Sequence, residues 1–371
     1  MLSGSQTAAG SRQRIVGLLP RFACKLGEIR SVRPLGEGNI NDTYLVIPAL
    51  QPPVVLQRLN PAVFPDPVIV AENVAAVSAH LNYGLSRNLP WSEGFTFFST
   101  ISSLDGANHV LDDNGDVWRL LTYIEDCIDF AQLSDPHKYY EAGRLLGGFH
   151  RLLDDFDHHR LDVALPGFHD LSSYRERYLE VLSAHRRGTS VELSYCITQA
   201  ETRLESRTLA QRNEGQGAAL RVIHGDPKAD NFLFRHDCCA ALSLIDLDTV
   251  ASGLLAYDLG DSLRSLGNPA GEKPPSVDRV HLDIEICRCF LAGYRAAGVS
   301  LSEAETEQIY HGVRLLTFEL ALRFLTDYLD NDRYFKVQDP QENLRRAVVQ
   351  FRLLESIEQQ RAAIESIAFG T

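Results

Sequence analysis

Two aspartates, a lysine and an asparagine lie close together in the middle of the chain, in a pattern that could transfer a phosphoryl group. Asp226, Lys228 and Asn231 follow His224, and Asp246 comes after the next apolar stretch. This spacing matches the H-x-D-x-x-x-x-N catalytic loop that precedes a metal-binding aspartate in nucleotide-dependent kinases. Asp and Asn also build ordinary turns. The joint occurrence of all these residues nevertheless predicts phosphoryl-transfer chemistry.

Each residue of this group has a chemical role that fits the prediction. Asp226 can act as the catalytic base, accepting the proton of a substrate hydroxyl that it also orients. Lys228 can neutralise charge on the transferred phosphoryl group as a second catalytic residue. Asn231 and Asp246 supply the few oxygen ligands that Mg²⁺ needs beside phosphate and water, and Asp248 could assist.

A second group of residues near the N-terminus is predicted to bind ATP. The turn that begins at Gly36 could cover a triphosphate with its backbone N–H groups, so Gly38 and Asn39 are assigned to the ATP site. Asn41 and Thr43 could add side-chain donors. Taken alone this stretch would be an ordinary turn, and its place before a further strand is what favours a phosphate role.

Arg58 and Glu72 are the charged pair that this interpretation requires next. Arg58 ends a strand where a kinase fold would place its phosphate-binding lysine, and Glu72 lies on the following helix. The alternative is a surface ion pair, which is the usual role of such residues. We predict the ATP-binding role for both.

The connection between the two halves of the chain is predicted to bind the adenine ring. Thr122, Tyr123 and Ile124 would present backbone groups to its edge. Further along, we expect His224 to be a structural histidine and Asp258 to hold the catalytic loop through its backbone. Backbone recognition of adenine leaves little trace in side chains, so that assignment depends on position alone.

The order of predicted elements indicates an α+β protein with two lobes. Residues 1–12 have the composition of a disordered leader, and residues 13–126 form a small N-terminal nucleotide-binding lobe. Its predicted elements are short antiparallel strands and one main helix. Residues 127–371 form a larger, mostly helical lobe with catalytic and substrate-binding roles. The expected elements are strands at Ile29–Val32, Thr43–Ile47, Val54–Leu59, Phe95–Phe98 and Val117–Tyr123, and helices at Pro67–Leu81 and Thr198–Arg212.

Composition excludes several classes of partner. Acidic residues number 49 against 36 basic ones, a net charge of −13, which disfavours nucleic acid or an anionic membrane as a partner. Seven cysteines without paired metal-ligand spacing indicate free thiols in a reducing compartment. The first twenty residues lack the apolar run of a signal peptide, and no segment reaches membrane-spanning length. We therefore expect a cytoplasmic monomer or homodimer.

These motifs together resemble the aminoglycoside phosphotransferase and choline kinase superfamily. Within it the chain is most similar to the N-acetylhexosamine 1-kinase group. The resemblance rests on the catalytic loop and on several flanking stretches, which are Gly38–Tyr44, Leu56–Asn60, Ile245–Val250, Tyr257–Asp261 and Glu319–Leu329.

The resemblance implies a two-lobed protein-kinase-like fold and ATP- and Mg²⁺-dependent phosphorylation of a small molecule. In that group the acceptor is the anomeric hydroxyl of a sugar. Arg323 and Asp327, one helical turn apart, become sugar-binding residues beside Asp226, although an exposed ion pair is an equal alternative. Asn39 stands where relatives often have a histidine, so the choice of sugar here could differ.

Other functions fit parts of the pattern. A protein kinase needs a long activation segment after its metal aspartate, whereas Asp258 follows Asp246 within twelve residues. An aminoglycoside kinase or a choline-like kinase would suit the acidic surplus. A nucleotide-binding pseudokinase would explain an arginine at position 58, yet the base and metal positions are all filled.

Overall fold

The computed structural model describes residues 14–36, 40–185, 188 and 190–370. A short helix that includes residues 14–18 (α1) precedes an antiparallel sheet in the order β1–β2–β3–β6–β4, and β5 also pairs with β6. The strands are β1 (Ile29–Pro34), β2 (Asp42–Pro48), β3 (Val54–Arg58), β4 (Thr100–Ile101), β5 (Val110–Leu111) and β6 (Val117–Thr122).

The two faces of this sheet pack against different helices because successive side chains alternate between faces. Val54 and Leu56 face α1 and pack with Ile15 and Leu18. Val55 faces the opposite way and packs against α2 (Pro67–Ser86). The N-terminus of α2 is capped by the Asp66 side chain, which accepts a hydrogen bond from the Val68 amide.

The chain then crosses into a mostly helical lobe. Residues 123–126 lead to β7 (Cys127–Asp129), which pairs with β9 in a sheet of order β10–β9–β7, and β8 pairs with β11. The later strands are β8 (Arg221–Ile223), β9 (Phe232–Arg235), β10 (Ala241–Leu244) and β11 (Ala251–Gly253). The helices are α3 (His137–Leu152), α4 (Leu171–Ala184), α5 (Val191–Glu201), α6 (Leu209–Asn213), α7 (Leu255–Leu266), α8 (Ile284–Ala296), α9 (Glu303–Leu329), α10 (Glu342–Gln359) and α11 (Arg361–Phe369).

Glycines let the central helices of this lobe approach closely. A Cβ at Gly143 on α3 would lie 1.9 Å from the Phe290 carbonyl oxygen of α8. Between α7 and α9, a Cβ at Gly312 would lie 2.1 Å from the Ala256 carbonyl oxygen. Side chains at either position would push the helices apart, and α7 and α9 both carry residues of the site described below.

The predicted α+β, two-lobed kinase-like fold is confirmed, with local corrections. Phe95–Phe98 is an extended segment with buried phenylalanines and not a strand, because its Thr96 amide bonds Leu242 O (2.9 Å) across the lobes. The helix predicted at Thr198–Arg212 is broken into α5 and α6. The leader predicted at residues 1–12 lies outside the described residues. All seven cysteines are free thiols, and no helix in the described ranges is long and apolar enough to cross a membrane.

Candidate functional site

The catalytic-loop residues predicted from the sequence lie between β8 and β9, and a hairpin brings Asp246 beside them. Asn231 directly precedes β9 and Asp246 follows β10. Because β9 and β10 are antiparallel, these positions meet at one end of the hairpin, where the Ile245 amide bonds Asn231 O at 3.0 Å. The strand–loop–strand arrangement predicted from the sequence therefore brings the expected base and both expected metal ligands together.

Asp226 is a partly exposed carboxylate at the centre of this loop. It accepts a hydrogen bond from the Lys228 ammonium, and its carbonyl accepts one from Asn231 Nδ2 at 2.7 Å. Burial alone would raise the pKa of Asp226, but the Lys228 charge outweighs it and holds the pKa below the ordinary value. Asp226 is therefore ionised at neutral pH, as a base must be.

A buried network holds the backbone on the N-terminal side of Asp226. The Asp258 carboxylate accepts hydrogen bonds from the amides of His224 (2.6 Å) and Gly225 (2.8 Å) and from His150 Nε2 (2.8 Å). His224 Nε2 lies 2.9 Å from Ile245 O. These contacts confirm the predicted structural roles of Asp258 and His224.

Gly225 is required by this geometry. Its φ is +88°, which non-glycine residues adopt at a cost in free energy. A Cβ there would lie 2.5 Å from the Thr249 carbonyl oxygen. The glycine between His224 and Asp226 therefore allows the loop to approach the turn that follows Asp246.

Asp246, the second predicted metal ligand, lies at the end of the β9–β10 hairpin. It adopts a left-handed conformation (φ +65°), and its residue is exposed to solvent, although neighbouring protein atoms displace part of the water around its carboxylate. This partial loss of hydration and the nearby Asp248 charge raise the pKa of Asp246 to about 6. Its carboxylate accepts no hydrogen bond from any described residue. Asp246 and Asn231 Oδ1 would offer Mg²⁺ the hard oxygen ligands that it prefers.

Asp248, in contrast, joins the two lobes. Its buried carboxylate accepts hydrogen bonds from the Arg119 guanidinium on β6 and from Asn41 Nδ2 (2.5 Å) just before β2. Asn41 Oδ1 in turn accepts from the Asn60 amide at 3.0 Å. Both oxygens of Asp248 therefore have partners in the N-terminal lobe.

The same network includes Thr43. It contains Gln57 and not Arg58, so the predicted position of Arg58 facing the site is wrong. Thr43, Gln57 and Arg119 are directly opposite on β2, β3 and β6, and Gln57 bonds both Thr43 Oγ1 (3.0 Å) and the Arg119 guanidinium (2.7 Å). Arg58, one residue further, faces the other side of the sheet and pairs with Asp42 (2.6 Å). The polar residue of β3 that faces inward is therefore Gln57. The buried positive charge beside it is Arg119 on β6.

The predicted ion pair between Arg58 and Glu72 is wrong for the same reason. Glu72 lies on α2, against the inner face of the sheet, and accepts a hydrogen bond from Asn108 Nδ2 at 2.7 Å. His109 Nδ1 lies 3.7 Å from its other oxygen. Because successive residues of a strand face opposite sides of the sheet, Arg58 points away from the face against which α2 packs.

The three residues predicted to bind the adenine ring differ in their backbone hydrogen bonds. The Thr122 amide bonds Ser99 O (2.9 Å), and the Tyr123 amide bonds Pro53 O (3.4 Å). The Ile124 carbonyl accepts a hydrogen bond from Cys127 Sγ (3.3 Å), whereas its amide has no acceptor among the described residues. Ile124 N–H is therefore the free donor of this predicted trio. Gly38 and Asn39 lie outside the described residues.

Arg323 lies on α9 near the catalytic loop, within a group of aromatic rings. Its guanidinium carbon is 5.2–5.8 Å from the ring centres of Phe168, Tyr174, Tyr334 and Phe335. Burial would lower the pKa of Arg323, but Tyr174, Glu319, Tyr334 and Asp226 outweigh burial and raise it. Its described polar contacts are long, 3.4 Å to the Tyr334 hydroxyl and 3.7 Å to Glu319. Most of its N–H donors therefore make no short hydrogen bond to a described residue.

The predicted sugar contact by Asp327 does not fit the structure. The buried Asp327 carboxylate accepts hydrogen bonds from the amides of Tyr334 (2.8 Å) and Phe335 (2.9 Å) and from Asn343 Nδ2 (2.9 Å). Both oxygens are engaged in holding the loop after α9. Asp327 thus positions two of the rings around Arg323, and neither of its oxygens is left without a protein partner.

Sequence reasoning missed several residues around the site. Arg119 and His169 are not assigned any role, and Gln57 and Glu319 appear only inside matching stretches. Gln57 could have been distinguished from Arg58 by strand alternation, but β3 is apolar on both faces, so the pattern did not identify the inner one. The others have no local signal because their partners are distant in sequence.

Comparison with solved structures shows the same fold in several kinases. The chain is similar to amicoumacin kinase hAmiN in complex with AMP-PNP, Ca²⁺ and Ami (14% identity, TM-score 0.57, covering 97% of this chain and 96% of that one). It is also similar to choline kinase from Cryptosporidium parvum Iowa II (15%, 0.58, 95% and 96%). A third is the GDP complex of a mutant of aminoglycoside 2′-phosphotransferase-IIIa (17%, 0.54, 95% and 97%).

A comparison with profiles of protein families shows the family of this chain. The profile of the phosphotransferase enzyme family matches residues 31–278, which is more than half of the chain and includes every catalytic-loop residue described above. The matched region begins in β1 and extends past α7. The chain therefore belongs to the phosphotransferase enzyme family, and it is a small-molecule kinase that transfers a phosphoryl group to a hydroxyl acceptor.

Proposed function

We propose that this protein is an ATP- and Mg²⁺-dependent kinase that phosphorylates the anomeric hydroxyl of a sugar such as an N-acetylhexosamine. The observation that carries the choice of acceptor is the position of Arg323 within its aromatic group, near Asp226. Aromatic faces would attract a quaternary ammonium such as choline. Here a guanidinium already occupies them, so a second cation would be repelled.

An oxygen-rich, uncharged acceptor suits this environment better. The free N–H donors of Arg323 can bind hydroxyl or acetamido oxygens, and aromatic rings can pack against the C–H face of a sugar. The stretches that resemble the N-acetylhexosamine 1-kinase group support the same acceptor.

The reaction assigns each loop residue a task. The anomeric oxygen attacks the γ-phosphorus of ATP, its proton passes to Asp226, and the bond from the phosphorus to the β–γ bridging oxygen breaks to release ADP. Lys228 neutralises charge on the transferred group. Asn231 and Asp246 would hold Mg²⁺, which supplies further charge neutralisation at the phosphates. Ile124 N–H supports an adenine site at the connection between the lobes.

An ADP-release screen tests the proposal. The acceptors would be N-acetylhexosamines, neutral hexoses, aminoglycosides and choline, each with Mg-ATP. We expect release with a free sugar and none with the methyl glycoside of that sugar, which lacks the anomeric hydroxyl. The product should also have lost its reducing end. Release with choline or an aminoglycoside alone, or with the methyl glycoside, would contradict the proposed acceptor.

A further inference from the structure

His169 lies between the catalytic loop and helix α9, and its contacts are unusual. Its Nε2 is 2.7 Å from Gly225 O, and its Nδ1 is 3.2 and 3.3 Å from the two carboxylate oxygens of Glu319. The ring stacks on Tyr257, with centroids 5.0 Å apart and planes at 16°. Only 9% of the side chain is exposed.

These partners determine the charge of the ring. A backbone carbonyl and a carboxylate are both hydrogen-bond acceptors, and a neutral imidazole has only one N–H to donate. Both contacts are hydrogen bonds only when both ring nitrogens carry protons. This geometry therefore favours an imidazolium at His169.

The position of this cation links two parts of the site. On one side it bonds the carbonyl of Gly225, the residue directly before Asp226. On the other side it bonds Glu319, which lies 3.7 Å from Arg323. We propose that His169 is a positioning residue, whose imidazolium sets the orientation of Asp226 and ties the catalytic loop to the acceptor-binding helix. The proposal rests on the proposed function, because it takes Asp226 as the base and Arg323 as an acceptor contact.

The backbone at His169 supports a functional role. Its φ is +59°, a conformation that costs free energy in a non-glycine residue and persists only where the surroundings impose it. Such strain is concentrated at functional sites. Here it places the ring between two segments that are 56 and 150 residues away in sequence.

The charges around the ring favour the same protonation state. Burial would lower the pKa of His169, but Glu319, the Gly225 carbonyl and Asp261 outweigh it and raise the pKa above the ordinary value. The titratable or charged groups that face the ring are Glu319 and Arg323 on α9, Asp261 and Tyr257 on α7, and Tyr174 on α4.

The sign of the pH effect follows. Below the raised pKa the imidazolium holds both partners. As the pH rises through that pKa, one N–H is lost and one contact disappears. We expect kcat to fall on the alkaline side while the KM for ATP stays constant, because the ring contacts Gly225, Glu319 and Tyr257 and none of the residues assigned to ATP.

The ring state can be measured without any substrate. In protein labelled with ¹⁵N-histidine, the two ring nitrogens of His169 should show the shifts of a doubly protonated ring at neutral pH. The signal is assigned by its loss in His169→Gln. A neutral tautomer at neutral pH would overturn the proposal. This readout is independent of the acceptor, so it remains decisive if no sugar is phosphorylated.

Kinetics test the positioning role with the acceptor that gives turnover. His169→Gln can donate to only one of the two partners, and we expect kcat to fall by about 10- to 100-fold with the KM for ATP unchanged. The exposed His159→Gln is the matched control and should behave as wild type. A wild-type kcat in His169→Gln would contradict the proposal.

A second variant keeps the test valid if His169→Gln fails to fold. Glu319→Gln retains an acceptor for Nδ1 but removes the negative charge. We expect the alkaline limb of the kcat profile, and the ring titration with it, to move to lower pH by about one unit or more. A profile that superimposes on that of wild type would overturn the proposal.

Discussion

At the scale of single residues, the three carboxylates of the site differ in their neighbouring charges. Asp226 has an ammonium partner and stays ionised, whereas Asp246 has a raised pKa because partial loss of hydration and the Asp248 charge oppose its ionisation. Asp248 has its charge compensated by Arg119. The first carboxylate thus suits a base, the second would gain from a nearby cation, and the third is structural.

The role of Asp226 predicts a specific kinetic change. Asp226→Asn keeps the shape of the side chain but removes the base, so kcat should fall by about 10²- to 10⁴-fold. Mg-ATP binding, measured by calorimetry, should remain intact because Asp226 is assigned to the acceptor. The exposed Asp237→Asn serves as the control. Full activity in Asp226→Asn would remove Asp226 from the base role.

Asp246 should determine the metal dependence of nucleotide binding. Asp246→Ala removes the charged ligand, so we expect affinity for ATP in the presence of Mg²⁺ to weaken by about tenfold or more, which is about 1.4 kcal/mol. Binding of ATP with excess chelator should change little. The measurement is calorimetric titration with and without Mg²⁺, and unchanged Mg-ATP affinity would refute the assignment.

At the scale of elements, a hairpin and a close helix pair position these residues. The β9–β10 hairpin places Asn231 and Asp246 side by side. Helix α7 carries Asp258, which holds the catalytic loop, and α9 carries Glu319 and Arg323. Helices α7 and α9 approach each other through small residues. The distance between the catalytic loop, which α7 holds, and Arg323 on α9 therefore depends on how closely the two helices pack.

A methyl group at this helix contact should therefore affect both stability and acceptor binding. Gly312→Ala places a Cβ 2.1 Å from the Ala256 carbonyl oxygen, and overpacking of this kind costs about 1–3 kcal/mol. Urea denaturation should show that loss, and the KM for the acceptor should rise more than the KM for ATP.

Gly17→Ala is the matched control for that change. A Cβ at Gly17 meets no atom within 4 Å, and the residue lies in a helix, so it should stabilise the protein by up to ~1 kcal/mol. Equal effects of the two substitutions would show that the close contact between α7 and α9 has no special importance.

At the scale of the whole molecule, a buried polar network joins the lobes beside Asp246, the predicted metal ligand. It runs from Thr43 through Gln57 and Arg119 to Asp248, which also binds Asn41. Asp248 is two residues from Asp246. The network therefore relates the position of the N-terminal sheet to that of the predicted metal ligand.

Breaking this network should destabilise the protein strongly. Arg119→Met leaves Asp248 buried without its cation, a change that costs about 3–5 kcal/mol. Asp248→Asn in the same chain should recover part of that loss, because the uncompensated charge is then absent. The measurement is the free energy of unfolding in urea for the single and double variants. A loss below about 1 kcal/mol in Arg119→Met would contradict the argument.

Local sequence determined the catalytic loop and the class of chemistry. The glycine, the charged residues and the asparagine between two apolar strands lie within eight positions of each other, so their spacing alone specifies a phosphoryl-transfer loop. The short interval from Asp246 to Asp258 likewise indicated a small acceptor. The turns and most helices follow from patterns that extend over only a few residues.

Only the tertiary structure decided which residues surround that loop. β3 is apolar on both faces, so the sequence did not distinguish Gln57 from Arg58, and pairing with β2 and β6 made the choice. Asp327 lies one helical turn from Arg323, as a second substrate-binding residue would. Its carboxylate is nevertheless hydrogen-bonded to the loop that follows α9. His169 has no local signal because its two partners come from distant segments. Contacts between residues far apart in sequence are set by packing, and one sequence without its fold does not specify them.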